Sequence, residues 1–254
     1  MTTRTIDLNC DYGEGYGSYR FGQEEQLLRY VTSVNIACGF HAGDPHTMRE
    51  AVGMAVDAGA AIGAHPGLPD RIGFGRRELA VTPDEVYDYM LYQIGSLAAF
   101  VHAAGAELRH VKPHGALYHM ANKDVSIAEA IVRAVQSSGS NLRVYAQSGS
   151  LLLRTAQDFG LPCLSEVFAD RAYERSGSLA PRSQPNAVIH EPAQAAARAL
   201  SLAADGLAHT ASNEPVPVKA DTICLHGDQP HAAEIAAAIR EKLTSAGMTI
   251  TAPN

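Results

Sequence analysis

Six short apolar runs in this chain, at residues 6–11, 34–41, 61–65, 111–114, 163–170 and 222–228, each end in carboxylates, histidines, a lysine or an amide. Asp11 and Glu14 follow the first run, Asn35 and His41 lie in the second, and His65 closes the third. Lys112 and His114 close the fourth, Glu166 and Asp170 the fifth, and His226 the sixth. Strands that only hold a fold together have no use for so many ionisable groups at one end, whereas α/β enzymes collect their chemistry at strand carboxyl ends. Asp11, Glu14 or Glu166 are the carboxylates placed to act as general base on water. Lys112 and the histidines are suited to acid or oxyanion roles. Asp11, His41 and His65 could also ligate a metal, because an open catalytic site needs only three protein ligands.

Alternation along the strands strengthens the grouping. Asp7, Asn9 and Asp11 share one face of the first run, opposite Ile6, Leu8 and Cys10. Asn35 opposes Val34 and Ile36, and stays in phase with His41 if the extended backbone reaches that far. Lys112 and His114 oppose Val111, Glu166 and Asp170 oppose Val167, and His226 opposes Leu225. Apolar faces packed on helices would turn the polar set toward one pocket. Plainer roles compete at some positions. Asp7 can equally hydrogen-bond backbone, Cys10 and Cys38 suit a core, and Asp44 and Asp228 precede prolines as helix caps do.

Such residues need a scaffold of alternating strands and helices. Asp44-Pro45 opens a helical pattern that Gly59 stops, and Thr82-Pro-Asp-Glu85 is a capping box opening a second that ends at Gly105. Further helical patterns cover 125–135, 150–159, 192–204 and 230–246. A seventh strand is expected at 142–146, with 187–190 as the weak candidate for an eighth. This order predicts one α/β domain over 1–254, a TIM-like (β/α) barrel of seven or eight strands. Residues 66–81, with Arg76 and Arg77, and 171–186, with Arg171, Arg175 and Arg182, lack periodicity and are expected to be lids or substrate loops.

With 254 residues and 46% hydrophobic content, the chain can bury a full core. Its 20 Lys+Arg against 27 Asp+Glu, with scattered basic residues, argue against nucleic acid as a partner. No apolar stretch suggests a membrane span, and the four cysteines lack C-x-x-C spacing, so a cytoplasmic protein with free thiols is expected. A phosphate loop, a dinucleotide fingerprint, a G-x-S-x-G elbow and an H-E-x-x-H helix are all missing.

The strings Asp7-Leu-Asn-Cys-Asp-Tyr-Gly-Glu-Gly15, Asn35-Ile-Ala-Cys-Gly-Phe-His-Ala-Gly-Asp44, Ile62-Gly-Ala-His-Pro-Gly67, Gly73-Phe-Gly-Arg-Arg77, His110-Val-Lys-Pro-His-Gly-Ala-Leu-Tyr118, Glu166-Val-Phe-Ala-Asp-Arg171 and His226-Gly-Asp228 resemble the LamB/YcsF family in order and spacing. The resemblance implies a barrel similar to those of the glycoside hydrolase and deacetylase superfamily. It also implies ATP-dependent hydrolysis of 5-oxo-L-proline to L-glutamate as the A component of a bacterial 5-oxoprolinase, together with the B and C subunits. On that reading ATP, with Mg²⁺, is a cosubstrate held with the partners. Asn9, Asn35, Arg76, Arg77 and Arg171 then contact substrate, and Asp11, Glu14, His41, His65, Lys112, His114, Glu166, Asp170 and His226 form the catalytic set. Two other readings are a metal-dependent amide deacetylase and a non-catalytic lactam-binding subunit. A resident metal and a homo-oligomer are left open.

Overall fold

The computed structural model describes residues 4–19, 24–181, 183–227 and 231–253. Asp228, Arg182 and the expected helix start at Pro230 lie outside them. The fold is a TIM-like (β/α) barrel of seven parallel strands with flanking helices. The barrel strands are β1 (Thr5–Tyr12), β2 (Ser33–Ala37), β3 (Ala61–His65), β4 (Leu108–Val111), β5 (Arg143–Gln147), β6 (Cys163–Phe168) and β9 (Thr222–Leu225). Tertiary contacts divide the chain into two compact units: 1–10, 22–33 and 165–254 in one, and 11–21 and 34–164 in the other.

The second unit carries β2 to β5 and their helices. Helix α2 (Pro45–Asp57) begins where Asp44 accepts the backbone N–H groups of His46 and Thr47. Helix α3 (Pro83–Ala103) begins with the full Thr82/Glu85 capping box. Its buried stripe of Val86, Met90, Ile94, Leu97 and Val101 recurs at helical spacing, and α3 packs on α5 (Val125–Ser138) and on β3 and β4. Ser150 caps α6 (Leu151–Asp158). A short helix that periodicity did not announce, α4 (Gly115–Met120), starts directly after His114. The 66–81 segment is a chain of tight turns, with Phe74 at φ 53° and Gly75 at φ 62°.

In the first unit β1 pairs in parallel with β9, Asp7 opposite Thr222, and β9 pairs with β6, Thr222 opposite Glu166. The two-residue strand β10 (Thr249–Ile250) extends β1 at Thr5 and Ile6. The helices here are α1 (Glu24–Leu27), α7 (Pro192–Leu200) and α8 (Ala232–Ser245), and α7 ends in a π-type turn over Ser201–Asp205 that Gly206 closes. The segment 187–190 is not an eighth strand. Ile189 N–H goes to Asp170 O, Ala187 N–H to Gln184 O, and the run makes only an isolated bridge between Val188 and Arg171. An unexpected antiparallel pair, β7 (Leu207–His209) with β8 (Pro215–Pro217), follows instead. The 171–186 loop folds over a small core of Ala172, Ala180 and Ala187. No helix among the described residues is long and apolar enough to cross a membrane.

Candidate active site

Seven of the residues selected from the sequence meet in the second unit, each delivered by a strand end or the turn after it. Asp11 stands near the end of β1, and its Oδ1 accepts from Lys112 Nζ at 2.9 Å and from Asn35 Nδ2 at 3.0 Å. His65 Nε2 lies 3.3 Å from the other oxygen, Asp11 Oδ2. Glu14 follows Gly13, whose φ of 68° turns the chain out of the strand. Its Oε1 lies 3.2 Å from His41 Nε2 and 3.6 Å from His114 Nδ1.

His41 does not arrive by strand parity, because β2 stops at Ala37 and Gly39 N–H bonds back to Ala42 O. The turn nevertheless brings its ring flat against that of His114, at 3.7 Å between centroids and 3° between planes. His114 occupies the N-cap position of α4 without capping it, which frees its side chain for the cluster. His65 stands nearly perpendicular to both rings.

Close backbone approach makes this packing feasible. A β-carbon on Gly75 would fall 2.7 Å from His41 Cβ and 2.8 Å from His114 Cδ2, and one on Gly67 would fall 2.5 Å from His41 Nδ1. Only glycine fits at either place, and at Gly75 the positive φ adds a second reason.

Charge is distributed unevenly. Asp11 with Lys112 forms a largely buried ion pair, their side chains 14% and 5% exposed. Burial pushes His41 well below the usual histidine value, with His65 adding to the effect. Burial does the same to His114, aided by His41 and His65. Both rings are therefore held neutral at physiological pH. Cys38 is no nucleophile, since burial pushes its thiol up to about 12.

One contributor was not singled out from the sequence. His110 Nε2 donates to Asn35 Oδ1 at 2.8 Å, so that Asn35 presents its amide N–H to Asp11. His110 stacks on Tyr145 at 4.0 Å and occupies space that any side chain at Gly63 would fill. Its phase with Lys112, which follows the same strand, was the available signal. The carbonyl of Phe74, which faces His114 Nε2 at 2.8 Å, could not be read from side-chain types.

The arginines of the turn-rich segment differ in employment. Arg77 forks onto Asp70 through Nε at 2.8 Å and through its terminal nitrogen. Arg76 is exposed, with its guanidinium 5.1 Å from the Phe74 ring centre. Beside Glu14 and His41 a cavity of about 170 Å³ opens, bordered by Tyr16, Tyr19, Arg71 and Phe74, and Arg71 lies over the Tyr16 ring at 3.7 Å.

The remaining selected residues lie in the first unit. His226 Nδ1 is 2.7 Å from Asp170 Oδ2, and the His226 ring stacks on Phe168. Glu166 is fully buried on β6, and Arg171 is buried and donates to Ala180 O at 2.6 Å. Asn9, also fully buried, donates from Nδ2 to Thr222 Oγ1 at 2.7 Å.

The chain is similar to several known proteins. The A component of 5-oxoprolinase from Geobacillus kaustophilus is 54% identical over 250 residues, 98% of this chain and 97% of that protein. The protein of the same name from Bacillus subtilis is 47% identical over 247 residues, covering 97% and 96%. Among solved structures, a lactam utilization protein from Thermus thermophilus superposes with a TM-score of 0.94 at 46% identity, covering 98% of this chain and all of that one. A putative cellobiose-phosphate cleavage protein from Enterococcus faecalis, 14% identical with a TM-score of 0.59 over 98% of this chain and 97% of that one, shares the fold. The sequence pattern of the LamB/YcsF family matches residues 6–254, and the chain belongs to that family.

Proposed function

We propose that this chain is the A component of an ATP-dependent 5-oxoprolinase and that its Asp11–Lys112 centre takes part in opening the lactam of 5-oxo-L-proline to L-glutamate. The observation that carries the reading is that pair, set among neutral histidines in a chain 54% identical to the A component of a 5-oxoprolinase. The name of the Thermus protein, with its reference to lactam utilization, supports the same substrate class.

A five-membered lactam holds its amine and acyl group at high effective concentration, so ring closure opposes hydrolysis and an energy source is required. Transfer of the γ-phosphoryl group of ATP to the lactam oxygen releases ADP and, with loss of the ring N–H proton, gives a C=N phosphate ester. Water then adds to that carbon. The C–N bond breaks as nitrogen takes up a proton, and a second water splits the resulting acyl phosphate into glutamate and phosphate.

In this scheme Asp11 accepts the proton of the attacking water while Lys112 stabilises the developing negative charge beside it. Asn35 and His110 hold Asp11 in place. Arg76, exposed with its guanidinium near the Phe74 ring, is assigned the substrate carboxylate. ATP and Mg²⁺ are bound with the partner B and C subunits in a cytoplasmic setting.

The test is glutamate release from 5-oxo-L-proline by the purified chain, with and without MgATP and the two partners, while phosphate is counted. One phosphate per glutamate, only in the complete mixture, is expected. A fully assembled complex that releases no glutamate would reject the reading.

A further inference from the structure

Hydrogen accounting around the three stacked and crossed imidazoles leaves a deficit of positive charge. His65 Nδ1 faces the carbonyl oxygen of Lys112 at 2.7 Å, and His114 Nε2 faces that of Phe74 at 2.8 Å. A carbonyl oxygen only accepts, so each ring must carry its proton at that nitrogen. In neutral rings the other two nitrogens, His65 Nε2 and His114 Nδ1, are then bare, and they face one another at 2.9 Å. Two lone pairs at that separation repel unless something positive lies between them.

The neighbouring groups add electron pairs. Glu14 Oε1 lies 3.6 Å from His114 Nδ1 and 3.2 Å from His41 Nε2. His41 Nδ1 is buried with no hydrogen-bond partner among the described residues, and its Nε2 faces the Glu14 carboxylate, which places the ring proton on Nε2. A single shared proton would relieve the His65–His114 contact and leave Glu14 and His41 as they are. One ion at the centre of the four groups would draw on a lone pair from each of them.

We propose that His41, His65, His114 and Glu14 bind one divalent transition-metal ion, with zinc the closest match to a donor set of three imidazoles and one carboxylate. Ligand atoms from the four lie within 4.8 Å of one another. Bonds of about 2.0–2.1 Å at tetrahedral angles put neighbouring donors about 3.3 Å apart. The observed 2.9, 3.2 and 3.6 Å bracket that value.

The surroundings are also those of a metal site. Ligating histidines commonly donate their second N–H to a backbone carbonyl, as His65 and His114 do here. Because the His41 and His114 planes are parallel, His41 must tilt for its Nε2 to converge, and its proton must move from Nε2 to Nδ1. Asp11 holds Lys112 and Asn35 through Oδ1, and its Oδ2 stands beside the ligand set, 3.3 Å from His65 Nε2. The proposal goes beyond the lactam reading and does not depend on it.

The experiment is titration of the chelator-treated, dialysed full chain with Co²⁺, followed by visible absorption and calorimetry, with circular dichroism confirming the fold. One equivalent bound, with the intense bands of a tetrahedral centre and displacement by Zn²⁺, is expected. His65→Ala and Glu14→Gln should each weaken binding by at least ~100-fold, while His46→Ala on the surface should not. Histidine ¹⁵N spectra give a second readout, since the His65 Nε2 and His114 Nδ1 signals should shift on Zn²⁺ addition. Folded wild-type protein that takes up no Co²⁺ would overturn the proposal. So would uptake that both variants retain, or a shared His65–His114 proton that persists in excess zinc.

Discussion

Asp7 and Asp11 sit four residues apart on one face of β1, yet their environments have little in common. Asp7 is buried and accepts from hydroxyls: Thr32 Oγ1 and Ser33 Oγ at 2.7 Å on one oxygen, and Thr222 Oγ1 at 2.6 Å on the other. Asp11 keeps 14% of its side chain open and is held by a lysine, an amide and an imidazole. Hydroxyl donors fix a carboxylate and tie strands together. A cation and an imidazole beside a partly open carboxylate are the kind of surroundings in which a proton can move. The same residue type on the same strand face thus meets hydroxyls at one end and a lysine, an amide and an imidazole at the other.

The sharpest break of this contrast is Lys112→Met, which removes the cation and keeps the stem. Glutamate formation by the assembled complex should fall by about 10³-fold, with the melting temperature of the chain nearly unchanged; an active, well-folded variant removes Lys112 from the mechanism. Exchanging each aspartate for asparagine tests the pair directly. Asp11→Asn should lower turnover by about 10²-fold at wild-type stability. Asp7→Asn sets an amide N–H₂ against hydroxyl donors and should cost about 1–3 kcal/mol in urea unfolding, with activity per folded molecule retained. Reversal of those two phenotypes would mean the assignments are exchanged.

Gly75→Ala presses a methyl group into His41 and His114 at a φ of 62°. A loss of about 1–3 kcal/mol is expected, together with a larger fractional loss of turnover than Asp7→Asn produces, because the strain falls on the cluster itself.

The smallest effect is a pH dependence. Burial, aided by Lys112, holds His110 down to about 3, so the folded protein keeps it neutral while the unfolded chain protonates it below about 6.5. Its contribution is therefore fully present above pH 6.5 and is lost progressively as pH falls toward 3, with a slope of up to about 1.4 kcal/mol per pH unit. His110→Gln should flatten the stability profile between about pH 6.5 and 5 by about one proton's worth. An unchanged slope would show that His110 is not buried neutral.

Strand ends and helix caps were legible because they rest on local chemistry. Asp44, Thr82 with Glu85, and Ser150 satisfy backbone N–H groups within three residues of themselves, and each cap lies where the pattern put it. Lys112 and His65 could be phased from apolar alternation, which reports burial along one strand. Alternation fails past a strand end, which is why His41 reaches the cluster by a turn that parity does not describe. The run 187–190 looked like a strand from its apolar content, but its N–H groups bond to the adjacent loop. The short helix α4 was too brief to show a period.

By itself the sequence determined which residue types could do chemistry, the order in which strands and helices deliver them, and the family to which the chain belongs, since all three follow from local patterns and from motif order. Only the tertiary structure decided that Asp7 is enclosed by hydroxyls and Asp11 paired with a lysine, that His110 reaches Asp11 through Asn35, and that two backbone carbonyls dictate where His65 and His114 carry their protons. Those distinctions depend on which hydrogen-bond partner lies opposite each atom, and residues distant in the chain supply those partners.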